Sequence, residues 1–78
     1  MHKNRILLYL GRRIRQLRVE QKLTQEDFAH KAGLDRAYYG GVERGERNVS
    51  AVNLVRIAKA LNVEVGELFL PVKELVSK

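Results

Sequence analysis

With 78 residues, 45% of them hydrophobic, and no cysteine, the chain has material for one small core but none for disulfides or thiolate metal sites, which suits a reducing cytoplasm. Its formal charge of +6 favours an acidic partner, nucleic acid being the commonest for a small basic domain, and so small a core gains from dimerisation. The longest apolar run, Ile6 to Leu10, is too short for a membrane span and no cleavage-site pattern follows it, so no membrane partner is expected.

Leu7, Leu10, Ile14 and Leu17 recur at helical spacing and predict a first helix from about Leu7 to Gln21. Arg12, Arg13, Arg15, Arg18 and Lys22 crowd it, with Glu20 the only acid. A helix lying on a membrane surface also fits that composition, but such helices rarely continue into a capped helix pair.

A second helix starts at Thr24, a good N-cap, with Asp27 three residues on as a weak capping box, and stops near Ala32. Gly33 supplies the left-handed closing residue and Leu34 packs back. Asp35 caps a third helix in which Tyr39 and Val42 share the inner face, and Ala29 is small where the two helices cross. Arg36, Ala37, Tyr38, Gly40 and Gly41 fall on the other faces, giving an outward surface of donors and rings, which is the pattern of a helix that reads a DNA groove. The segment from 24 to about 44 is thus a helix-turn-helix.

Gly45 to Val49 is a polar loop. Ser50 caps a fourth helix with Leu54, Ile57, Ala58 and Leu61 on its core stripe, and Asn62 ends it. Val65 to Phe69 makes a short fifth helix that Pro71 halts. No strand-like alternation competes, so residues 1–78 are read as one all-α domain of five short helices. Leu68, Phe69, Leu70, Val72, Leu75 and Val76 are denser than one small core requires. Either they face a second copy, with a dimerisation region at about 65–76, or the tail folds back over its own core.

Phosphate contacts fix register while base-edge contacts carry sequence. Arg36, in the first turn of the third helix, suits a bidentate contact to guanine O6 and N7; Ala37 can touch a thymine methyl; Tyr38 can reach a base or phosphate, or simply pack. Thr24 and Gln25, at a helix N-terminus, and Arg44, Arg47 and Asn48, in the following loop, are candidates for phosphate. Two glycines inside a helix cost about 1 kcal/mol each relative to alanine. Close backbone approach, with Gly41 against a base, is one reason to keep them; an early end to the helix is the other. His2 and His30 stand alone, no nucleophile–base set is in register, and no phosphate loop follows a strand, so no enzyme activity, metal or cofactor is expected.

The segments GRRIRQLR at 11–18, LTQEDFA at 23–29, Gly33-Leu34, VERG at 42–45 and LVRIAKALNVEVGELF at 54–69 resemble the phage-repressor and Cro-like helix-turn-helix regulators, the Xre family, over nearly the whole chain. Within it, the LDRAYYGGVERGERNVS segment and the small size look most like the controller proteins of restriction-modification systems. The resemblance implies a compact lambda-repressor-like domain that binds palindromic operators as a homodimer through its C-terminal end, acting as repressor or activator, with RNA polymerase a further partner. It implies that Arg18 and Glu43 form a buried ion pair tying the first helix to the third; an outward Arg18 on the basic stripe is the alternative. Side chains at the two glycine positions touch DNA in many relatives, so fewer bases should be read there. An antitoxin that neutralises a partner protein is the rival from another class, although only about nine residues follow the fifth helix. RNA binding lacks an exposed aromatic platform.

Overall fold

The computed structural model describes residues 4–76, so His2 lies outside it. In chain order come α1 (Arg5–Glu20), α2 (Gln25–Ala32), α3 (Arg36–Glu43), α4 (Ala51–Leu61), a 3-10 turn (Val65–Leu68) and α5 (Val72–Val76), with no strand among the described residues. The first helix starts two residues earlier than its apolar stripe, because the Asn4 side chain accepts hydrogen bonds from the N–H groups of Ile6 and Leu7. Thr24, Asp35 and Ser50 cap the next three, accepting from the N–H groups of Asp27, Tyr38 and Asn53 at 3.0, 3.0 and 3.1 Å.

All four longer helices close in the same way. A left-handed residue lets the N–H of the residue after it reach back to a carbonyl of the last turn: Leu23 to Arg18, Leu34 to Ala29, Glu46 to Gly41, Val63 to Ala58. Gly33 and Gly45 take that conformation without a Cβ penalty, whereas Lys22 and Asn62 adopt it at φ 62° and 60°.

The expected fifth helix is instead one 3-10 turn, ending a residue short of Phe69 and opened by reciprocal bonds between Glu64 and Glu67. Nor does Pro71 only halt the chain. Its carbonyl accepts from the N–H groups of Glu74 and Leu75 and so starts α5, a position where the missing proline N–H has no intrahelical partner to lose.

Leu10 and Ile14 of α1, Phe28 and Ala29 of α2, Tyr39 and Val42 of α3, Ile57 and Leu61 of α4, and Leu68 form the buried centre. The Phe28 and Tyr39 rings meet at 5.1 Å between centroids, tilted by 45°. Burial of Leu68 corrects one expectation: at 0% exposure it belongs to this core and offers nothing to a second copy. Gly11 explains how α1 and α3 come so close. A Cβ there would stand 2.5 Å from the carbonyl oxygens of both Val42 and Glu43, so only glycine lets the first helix cross the end of the third. Two long polar side chains tie the ends of the molecule together, Gln21 donating to the Leu61 carbonyl at 2.8 Å and Arg13 to the Glu67 carbonyl at 3.1 Å. Arg13 is therefore partly withdrawn from the outward basic stripe.

Candidate nucleic-acid interface

The packing that orients α3 centres on Glu43, whose side chain is 2% exposed. Arg18 of α1 grips its carboxylate with both prongs of the guanidinium fork, Nε to Oε2 at 2.6 Å and Nη2 to Oε1 at 3.0 Å, while Nη1 donates to the Leu23 carbonyl at 2.6 Å. The Tyr39 hydroxyl donates to Oε2 and the Gln25 amide to Oε1 at 2.9 Å. Three helices thus converge on one acid, and the α1–α2 turn holds the arginine that grips it. Burial alone would push the Glu43 carboxyl up; hydrogen bonds from Arg18, Tyr39 and Gln25, with the nearby Arg18 charge, more than offset this and hold it below its usual value. The same carboxylate raises Arg18 further, chiefly through their hydrogen bond, and burial followed by the bond to Glu43 pushes the Tyr39 phenol well up. The charged Arg18–Glu43 pair is the form present at neutral pH.

Two consequences bear on the predicted contacts. Gln25, expected to meet phosphate, donates from its side-chain amide to Glu43 and is half-buried, so its side chain is tied inward, while its backbone N–H lies in the first turn of α2, where it has no intrahelical acceptor. Arg18 is buried and turned inward.

The opposite side of α3 is the exposed one. Arg36 and Ala37 face solvent at its first turn, and Thr24, Arg44, Arg47 and Asn48 are exposed around it. Tyr38 is half-buried: its hydroxyl accepts from the Asn53 amide at 3.2 Å, and the Arg47 guanidinium lies over its ring at 5.8 Å. Arg44 is paired with Glu46 at 3.0 Å. The helix continues through both glycines to Glu43, so an early end does not account for them. Neither glycine lies on the open surface. Gly40 is covered by the Arg36 and Arg44 side chains and Gly41 by the Arg47 stem, so a base could reach the Gly41 backbone only after Arg47 moved aside.

Several working residues escaped the sequence reading. Asn53, on the next helix, pins Tyr38. Gly11, a glycine in the middle of an amphipathic helix, was the one visible signal of a close crossing. Val52 and Val55 form an exposed apolar pair on α4. At the C-terminal end Val72 and Val76 are 75% and 62% exposed, while Phe69, Leu70 and Leu75 are half-buried. Among the described residues no cluster of His, Cys, Asp or Glu could hold a metal ion, and no helix is long and apolar enough to cross a membrane.

Comparison with known proteins gives the same architecture. A helix-turn-helix family model matches residues 14–68. The chain is 42% identical over 72 residues to the control protein C.MunI of a Mycoplasma species, covering 91% of this chain and 97% of that protein. It is similar to the crystal structure of the restriction-modification controller protein C.AhdI from Aeromonas hydrophila, with a TM-score of 0.79 and 54% identity over 81% of this chain and 96% of that one. SinR, a master regulator for biofilm formation crystallised in complex with DNA, aligns with a TM-score of 0.73 and 33% identity over 76% of this chain and 95% of its own.

Proposed function

The chain belongs to the helix-turn-helix family, and from that membership we propose that this DNA-binding transcriptional regulator acts in the cytoplasm as a homodimer on palindromic operators, as the controller of a restriction-modification system. One observation supports it above the rest: α3 buries Tyr39 and Val42 and turns Arg36 and Ala37 outward, with Arg44, Arg47 and Asn48 beside them. Arg36 reads guanine, Ala37 lies against a thymine methyl, and Tyr38 supports the stack from its half-buried position. The start of α2 at Thr24 and Gln25 joins Arg44, Arg47 and Asn48 on phosphate. The apolar ridge of Phe69, Leu70, Val72 and Leu75 supports a two-fold contact that would set paired α3 helices about 34 Å apart, one duplex turn. Occupancy is the mechanism: a dimer over a promoter excludes polymerase, and one bound upstream recruits it. The relatives named above carry regulator names, which favours this reading over a toxin-neutralising protein.

Selection of bound sequences from random duplex DNA tests it. A palindromic consensus is expected, with Arg36→Ala losing preference at one position per half-site and Arg47→Ala weakening all sequences evenly, its salt slope shallower by about one. No consensus from the unmodified protein would refute the reading.

A further inference from the structure

Glycines at 40 and 41 cost helix stability, and the structure shows what occupies the space they leave. A Cβ at Gly40 would stand 2.8 Å from Nη1 of Arg36 and 3.2 Å from Nη1 of Arg44, with the Gln25 Oε1 next at 3.8 Å. At Gly41 it would stand 3.1 Å from Cγ and 3.4 Å from Nε of Arg47. Residues 36, 40 and 44 are one helical turn apart and share a face. The two guanidinium groups therefore lie back along the helix into one notch, and the Arg47 stem fills a second beside it.

We propose that Gly40 is a specificity-determining residue: its missing side chain lets the Arg36 guanidinium lie back over the middle of α3 beside that of Arg44, where the Arg36 fork meets one guanine edge in the major groove while Arg44 takes a neighbouring phosphate. This rests on the DNA-binding reading above and extends it. Arg36 then reads opposite the centre of the helix, although its Cα sits in the first turn. The bare glycine at 40 does not leave the reading surface empty, because the Arg36 head from one turn before supplies it. Arg44 is paired with Glu46, which offsets part of the repulsion between the two neighbouring guanidinium groups, and an anionic or acceptor-rich edge beside them offsets more, so the arrangement is suited to the bound state. Guanine offers two acceptors, O6 and N7, which a guanidinium fork matches.

Gly40→Ala separates this role from a structural one, since the two move in opposite directions. The new methyl presses on the tips of two flexible side chains and makes ordinary contact with the Gln25 Oε1, and alanine is the better helix former, so the melting temperature should rise by about 4 °C or more. Affinity for the selected operator should fall, by roughly fivefold to a hundredfold, with preference relaxed at the position that Arg36→Ala also relaxes. Gly41→Ala, which presses on the Arg47 stem, should weaken all sequences evenly and leave the consensus intact. If the unmodified protein selects a consensus and Gly40→Ala binds it with unchanged affinity and preference, the notch has no reading role and the proposal is overturned. Absence of any consensus from the unmodified protein overturns the DNA-binding reading and this inference with it.

Discussion

Replacing Glu43 with leucine would leave the buried Arg18 guanidinium without its counter-ion while keeping most of the side-chain volume. Arg18 would retain the Leu23 carbonyl and lose both bonds to the carboxylate; Tyr39 and Gln25 would each lose an acceptor. Removing one partner of such a pair costs about 3 to 5 kcal/mol, a large part of the roughly 5 to 15 kcal/mol that holds a domain together. At about 4 to 8 °C per kcal/mol for a chain of this size, the melting temperature should fall by at least about 12 °C, and the urea midpoint should fall with it. The double variant Arg18→Met, Glu43→Leu leaves no unpaired charge and should recover most of the loss. Calorimetry and urea melts on both single variants and the double close the cycle. Single losses each under about 1 kcal/mol, adding without coupling in the double, would show that the pair does not tie α1 to α3.

The same site sets the pH behaviour. Glu43 is held low in the folded chain, so its contribution is fully present above the unfolded carboxylate range near pH 4 to 5 and is lost as pH falls through the folded value. Tyr39 is shifted up, so its share persists below about pH 10 and is lost as pH rises beyond it; melting curves against pH should show both limbs, and Glu43→Leu should flatten the acid one. Gly11→Ala should destabilise by about 1 to 3 kcal/mol or more, because the added methyl meets backbone carbonyls that cannot rotate away; a urea melt reads this. Lys22→Gly relieves a left-handed lysine and should raise the melting temperature by a few degrees, read by calorimetry. Val72→Glu places a charge on the exposed C-terminal ridge and should shift sedimentation toward the monomer and weaken operator binding, with little change in the monomer's helix content.

Local chemistry by itself determined most of the helix frame. Thr24, Asp35 and Ser50 announced three helix starts, and Gly33 and Asn62 two ends, because caps and left-handed residues act over three or four positions and leave a signature at that range. Periodicity marked Leu10, Ile14, Ile57 and Leu61 as core, and Tyr39 with Val42 told which side of α3 turns inward and so which side carries Arg36. Other outcomes were decided in three dimensions. The pattern did not separate Leu68, which closes the core, from the exposed Val72, since both are apolar residues near one chain end and only packing sorts them. Gln25 was taken by Glu43, eighteen residues away, and Arg13 by the Glu67 carbonyl, farther still; long side chains choose among partners that the chain must first fold to bring near. The glycines at 40 and 41 were conspicuous in the sequence, but what fills the space they leave depends on where three arginine side chains come to rest, and that is set by how α3 is held against α1 and α2.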